Sequence, residues 1–219
     1  MKKAFTMLEM VFVIVIIGII SILAVPNLQN NNLRLAANQL ISHIRYTQHL
    51  AMMDNQFNPD DINWSKKRWQ MQFHSTVSAY DISWSYSIYK DTSLSGNPNS
   101  KKELAKNPVD NTKLLSGGFG SLAADYEDFT KSMMLGNSYG ISDIVFEGGC
   151  KYYTSRRIAF NFYGVPYYGN LLSTDNQYDR RLAEQCRIVL CIENSCTNAT
   201  DDQKITIAIE PETGYTHIL

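Results

Sequence analysis

Apolar residues are concentrated at one end of the chain. Almost every position from Met7 to Val25 is apolar, and the remainder is rich in Asn, Ser and Tyr. From Phe5 to Val25 there are 21 residues, and only Glu9 is charged. A helix of that length rises roughly 30 Å, the thickness of a bilayer's hydrocarbon core. Lys2 and Lys3 precede it, so the positive-inside rule predicts a cytoplasmic N-terminus and an exported remainder. A cleaved secretory signal has a shorter apolar core, of about 7 to 15 residues, and a small-residue cleavage site after it. Here Ala24 runs into Val25-Pro26 without an A-x-A pattern. A plain signal anchor accounts for the length but not for Glu9.

Pro26 lacks an N–H, and its ring crowds the carbonyl of Ile22, which predicts a kink or local weakening rather than a stop. Helical spacing then resumes. Leu33, Ala37, Leu40, Ile44, Thr47 and Ala51 form one stripe, with Arg34, Asn38, Ser42 and Arg45 off it. The expectation is one helix from about Phe5 to Asp54, roughly 75 Å long.

Period-two alternation takes over beyond a polar loop at 56–67. Trp69, Met71 and Phe73 alternate with Gln70, Gln72 and His74, and Trp84, Tyr86 and Ile88 alternate with serines. Both read as half-buried strands. Further strands are expected at Asp143–Phe146, Arg157–Phe162, Gln185–Ile192, Lys204–Glu210 and Tyr215–Leu219, the last two joined by the turn Pro211-Glu212-Thr213-Gly214. Residues 91–143 show little periodicity and predict a surface excursion with a short helix or two. The fold class expected is α+β: a long N-terminal helix, membrane-spanning in its first half, packed on an antiparallel β-sheet domain. Its divisions are a leader at 1–4, a transmembrane helix at 5–25, an amphipathic continuation at 26–55 and a β-rich globular domain at 56–219.

A net charge of −1, with 19% charged residues, gives no whole-chain attraction to nucleic acid or an anionic surface. The basic groups Lys66-Lys67-Arg68, Lys101-Lys102, Arg156-Arg157 and Arg180-Arg181 are interspersed with acids, so DNA contact is only a secondary reading. Four cysteines, Cys150, Cys186, Cys191 and Cys196, suit disulfides in an oxidising compartment. Three connectivities are open. Cys191 and Cys196 flank four residues, a hairpin-like length, which favours Cys191–Cys196 with Cys150–Cys186. Structural zinc favours tighter pairs.

Chemistry-bearing motifs are absent from the sequence: it contains no H-E-x-x-H, Walker A or G-x-S-x-G. His43, His49, His74 and His217 read as surface or packing residues, and Gly117-Gly118-Phe119-Gly120 reads as a turn. No cofactor and no metal is expected. Asp61-Ile62-Asn63-Trp64-Ser65 fits an extended N-glycosylation pattern centred on Asn63.

Glu9 is the informative residue, because a carboxylate in an apolar helix is costly unless it has a partner. Removal of a leader after Ala4 would give Phe5 a free, mostly protonated α-amino group. That amine on one subunit could pair with Glu9 of a neighbour. The run Lys2-Lys3-Ala4-Phe5-Thr6-Met7-Leu8-Glu9, followed by an apolar stretch ending in Val25-Pro26, resembles the type IV prepilin leader and N-terminal helix. The resemblance covers about 30 residues. It departs from the usual glycine at Ala4, and alanine is also small. It implies a type IV pilin-like fold, and cleavage by prepilin peptidase between Ala4 and Phe5 with N-methylation of Phe5. It also implies assembly through Glu9 and a helix weakened at Pro26. The implied protein is a non-enzymatic subunit of a pilus or a type II secretion pseudopilus in the bacterial inner membrane, with a periplasmic domain. Its implied partners are other pilin or pseudopilin subunits, the peptidase, and indirectly an assembly platform and its ATPase. Ile158-Ala159-Phe160-Asn161 and Ile209-Glu210-Pro211-Glu212-Thr213-Gly214 resemble minor pseudopilins more weakly. Two other readings are a DNA-binding minor pilin of a natural transformation system and a monomeric anchored adhesin.

Overall fold

The computed structural model describes residues 7–55, 57–77, 82–120, 122, 127–153 and 155–219, with the side chains of 22–30, 76, 77 and 82 outside the description. Helix α1 (Met7–Met53) continues through Pro26, so the proline does not stop it. The predicted stripe is the buried one. Leu33, Ala37, Leu40, Ile44, Thr47 and Ala51 are all buried, and Arg34, Asn38, Ser42 and Arg45 are exposed. Burying each Leu or Ile of that stripe stabilises the packing by about 1.5–3 kcal/mol. Asp54, just past the helix, accepts from Trp69 Nε1 at 2.9 Å and from Lys90 Nζ at 2.7 Å, which ties the helix end to two strands.

Eight strands follow: β1 (Trp69–Val77), β2 (Ile82–Lys90), β3 (Asp143–Gly148), β4 (Arg157–Phe160), β5 (Pro166–Tyr168), β6 (Cys186–Cys191), β7 (Lys204–Ile209) and β8 (Thr216–Ile218). They form two antiparallel sheets of four strands, in the orders β2-β1-β4-β5 and β3-β6-β7-β8. The expected fold class, one long helix on one antiparallel sheet, is therefore corrected. Helix and strand hold roughly equal shares among the described residues, and the strands divide into two sheets. The division arises because β3 pairs with the later β6, whereas β4 returns to the early β1. Arg156 joins the two sheets: its backbone carbonyl accepts from Phe73 N at 2.9 Å, and its Nε donates to Ile144 O at 2.9 Å. Both sheets share one core with the buried stripe of α1.

A second correction concerns the outer face of β1 and β2. Alternation predicted a solvated side, yet Gln70, Gln72, His74, Ser85 and Ser87 are buried. The segment after β2 packs on this face, where Asn97 meets Gln72, Gly118 meets His74 and Ser116 meets Ser87. It includes α2 (Leu135–Tyr139) and the bridges Ser87↔Ser116 and Tyr89↔Leu104, and it builds a small core from Tyr89, Leu104, Leu122 and Phe129. Within it Leu122 N donates to Phe119 O at 2.8 Å. The short helix expected in this region is α2, beside a 3-10 turn at Lys131–Met133, and part of the described segment packs on the sheet while 108–112 stay exposed.

Candidate assembly surface

The first half of α1 has no covering element among the described residues. Met7 is 89% exposed, Ile14 70% and Ile20 60%, and the apolar side chains between them point outward on every side. A soluble monomer rarely leaves so large a contiguous apolar area open, and such an area marks an interaction surface. Glu9 is exposed in the first helical turn, where the macrodipole favours a carboxylate. Ala4 and Phe5, the predicted processing positions, lie outside the described residues, as does the side chain of Pro26.

The expected membrane crossing is corrected. Among the described residues no helix is long and apolar enough to cross a membrane. The apolar side chains described run from Met7 to Ser21, about 22 Å at 1.5 Å per residue, against a hydrocarbon core of about 30 Å. From Leu33 onward the helix is amphipathic, with one face buried. A single-pass inner-membrane location with a periplasmic domain is thus unsupported.

The second half of the helix is held to the domain by polar contacts that periodicity did not reveal. Gln39 Nε2 donates to Tyr86 Oη at 2.8 Å and to Ser132 O at 2.9 Å, while Gln39 Oε1 accepts from Tyr139 Oη at 2.7 Å. Gln48 Nε2 donates to Gly164 O and Thr213 O, both at 2.8 Å. Arg45 Nη2 donates to Thr216 O at 2.7 Å. These residues border the apolar stripe at helical spacing, which was the available signal.

The cysteines pair as the spacing favoured, Cys150–Cys186 and Cys191–Cys196. The first fastens the end of β3 to the start of β6, and the second closes the loop after β6. Asn63 is half-buried beside a 3-10 turn at Trp64–Lys66, its backbone N–H donating to Asp61 Oδ1 at 2.9 Å. The basic groups do not gather into one face. Lys67 pairs with Asp61 at 2.7 Å, Lys101 with Asp128 at 2.6 Å, and Arg181 with Glu212 at 3.3 Å. Arg156 and Arg157 are engaged within the domain. Two members of these groups, Arg68 and Arg181, do meet at one cleft.

Two histidines that read as packing residues sit in water-poor surroundings. Burial lowers the pKa of His43 to about 4. Burial likewise lowers His74 to about 4, although its Nε2 contacts Gly118 O. No group of three or more His, Cys, Asp or Glu side chains able to hold a metal ion occurs among the described residues. Comparison of the chain with family models, curated proteins and solved structures returns no match.

Proposed function

We propose that this protein is a non-enzymatic subunit of a type IV pilus-like filament or type II secretion pseudopilus. In this reading prepilin peptidase cuts between Ala4 and Phe5, and the exposed half of α1 packs against the same segment of neighbouring subunits. The observation that carries the reading is the uncovered apolar helix from Met7 to Ile20 with a single carboxylate, Glu9, in its first turn. Apolar side chains exposed on all sides of a helix are stabilised once other helices surround them, at about 25 cal/mol per Å² buried. The second half of α1 is anchored in the core of the domain, so each subunit carries its globular part on the outside of such a bundle. Glu9 and a neighbour's Phe5 amine would neutralise one another and set the stagger between helices.

The test starts from the processed N-terminus. Protein recovered from a host with active prepilin peptidase should begin at N-methylated Phe5, by mass and N-terminal sequencing. A chain that still begins at Met1 in that host removes the main support. Glu9→Ala should leave processing intact and reduce filament yield, whereas an anchored monomer would not respond to the change.

A further inference from the structure

Well away from the exposed helix, a cleft of about 410 Å³ opens between the loop before β1 and the segments flanking β5. That volume is within the range of small-molecule sites. More than half of its lining residues are aromatic. Phe57, Trp64, Phe162 and Tyr163 form a continuous chain of rings, with centroids 5.3, 6.1 and 4.2 Å apart in sequence order. Isolated exposed aromatics are common, but a run of four rings meeting in one concavity is a stacking platform.

The cleft also carries uncompensated positive charge. Arg68 is 2% exposed, stacked 3.8 Å over the centroid of Tyr167, with Nη2 donating to Gln177 O at 2.7 Å. Its Nε has no hydrogen-bond partner, and no carboxylate among the described residues forms an ion pair with it. A buried guanidinium without a counter-ion is costly, and an anion bound nearby would offset that cost. Arg181 supplies a second, reachable guanidinium. Its pair with Glu212 is long and exposed, so a better acceptor displaces it readily. Arg180, with φ 63, turns the chain so that Arg181 bridges Tyr167 at the cleft wall. None of the described lining residues is acidic.

The rings suit a flat stacked group and the two guanidinium groups suit an anionic one. We infer that this cleft binds a nucleoside monophosphate unit, the base stacked on the rings around Trp64 and Tyr163 and the phosphate held by Arg181 in the field of Arg68. Glu212 beside Arg181 disfavours a long polyanion along the surface and favours a single nucleotide.

The experiment is calorimetric titration of the full chain with AMP, adenosine, inorganic phosphate and a single-stranded dA octamer at fixed salt. AMP should bind saturably, with adenosine and phosphate each at least tenfold weaker. Tyr163→Ala and Arg181→Ala, both at exposed positions, should each weaken AMP at least fivefold with unchanged circular dichroism. Octamer binding tighter than AMP and lost in the same variants identifies the unit as part of a strand; octamer binding no tighter than AMP identifies the free nucleotide. AMP binding no better than adenosine, no AMP binding, or AMP binding indifferent to both substitutions overturns the inference.

Discussion

Tyr86 Oη lies 2.6 Å from His43 Nδ1, and the direction of that hydrogen bond follows from its neighbours. The same phenol oxygen accepts from Gln39 Nε2 at 2.8 Å, so its own proton goes to His43. His43 is then neutral, with its hydrogen on Nε2. Tyr86 is fully buried, and burial raises its pKa, which keeps the phenol a donor. One hydroxyl thus connects α1 to β2.

Replacing Tyr86 by Phe removes the acceptor for Gln39 and the donor for His43 while retaining the ring. We expect a loss of about 1–3 kcal/mol, the cost of leaving buried polar groups unsatisfied. Urea unfolding at pH 7 followed by circular dichroism measures it. A midpoint unchanged from the parent would show that the network does not fasten the helix.

Acid should weaken the fold through His43 and His74. Both have folded pKa values of about 4, lowered by burial, against about 6.5 unfolded. Between those values the unfolded chain binds more protons than the folded one, so stability is fully present above about pH 6.5 and falls as pH drops toward 4. Each histidine contributes a slope of up to about 1.4 kcal/mol per pH unit in that window. Denaturation midpoints at pH 7, 6, 5 and 4.5 trace it, and His74→Gln should flatten the slope by about half.

The two disulfides should contribute unequally. Cys150–Cys186 spans 36 positions and Cys191–Cys196 only 5. Loop-closure entropy then gives about 4 and about 2 kcal/mol respectively. Replacing the first pair by serines should lower the thermal midpoint more than replacing the second. Equal losses, or the reverse order, would point to contacts around the cysteines as the dominant effect.

Gly214 should resist substitution. Its φ of +66 is one that L side chains rarely adopt, and a Cβ there would lie 2.6 Å from Gln48 Nε2 and 3.0 Å from the Phe160 ring. Gly214→Ala should cost about 1–3 kcal/mol, from backbone strain and displacement of the Gln48 contacts to Gly164 and Thr213. Thermal unfolding provides the readout, and a Gln48→Ala background should recover part of the loss.

Periodicity alone was enough for the second half of α1, because one solvent-facing and one core-facing side leave an unambiguous 3.6-residue pattern from Leu33 to Ala51. The strand positions were also legible, except β5, which at three residues (Pro166–Tyr168) is too short to show alternation. The cysteine pairing followed from local spacing, since a short loop between Cys191 and Cys196 limits which partners can meet. Two sheets in place of one were not legible. Alternation reports that a strand has two faces and says nothing about which strand lies beside it. Nor did Gln72 and His74 announce their burial, because the groups that meet them, Asn97 and Gly118, are distant in sequence. The cleft is of the same kind: Phe57, Arg68, Tyr163 and Arg181 are spread over more than a hundred positions. Local pattern thus determined the elements and the unusual apolar helix with its lone glutamate. Their neighbours, and the charges and rings those neighbours bring together, were decided only by long-range packing.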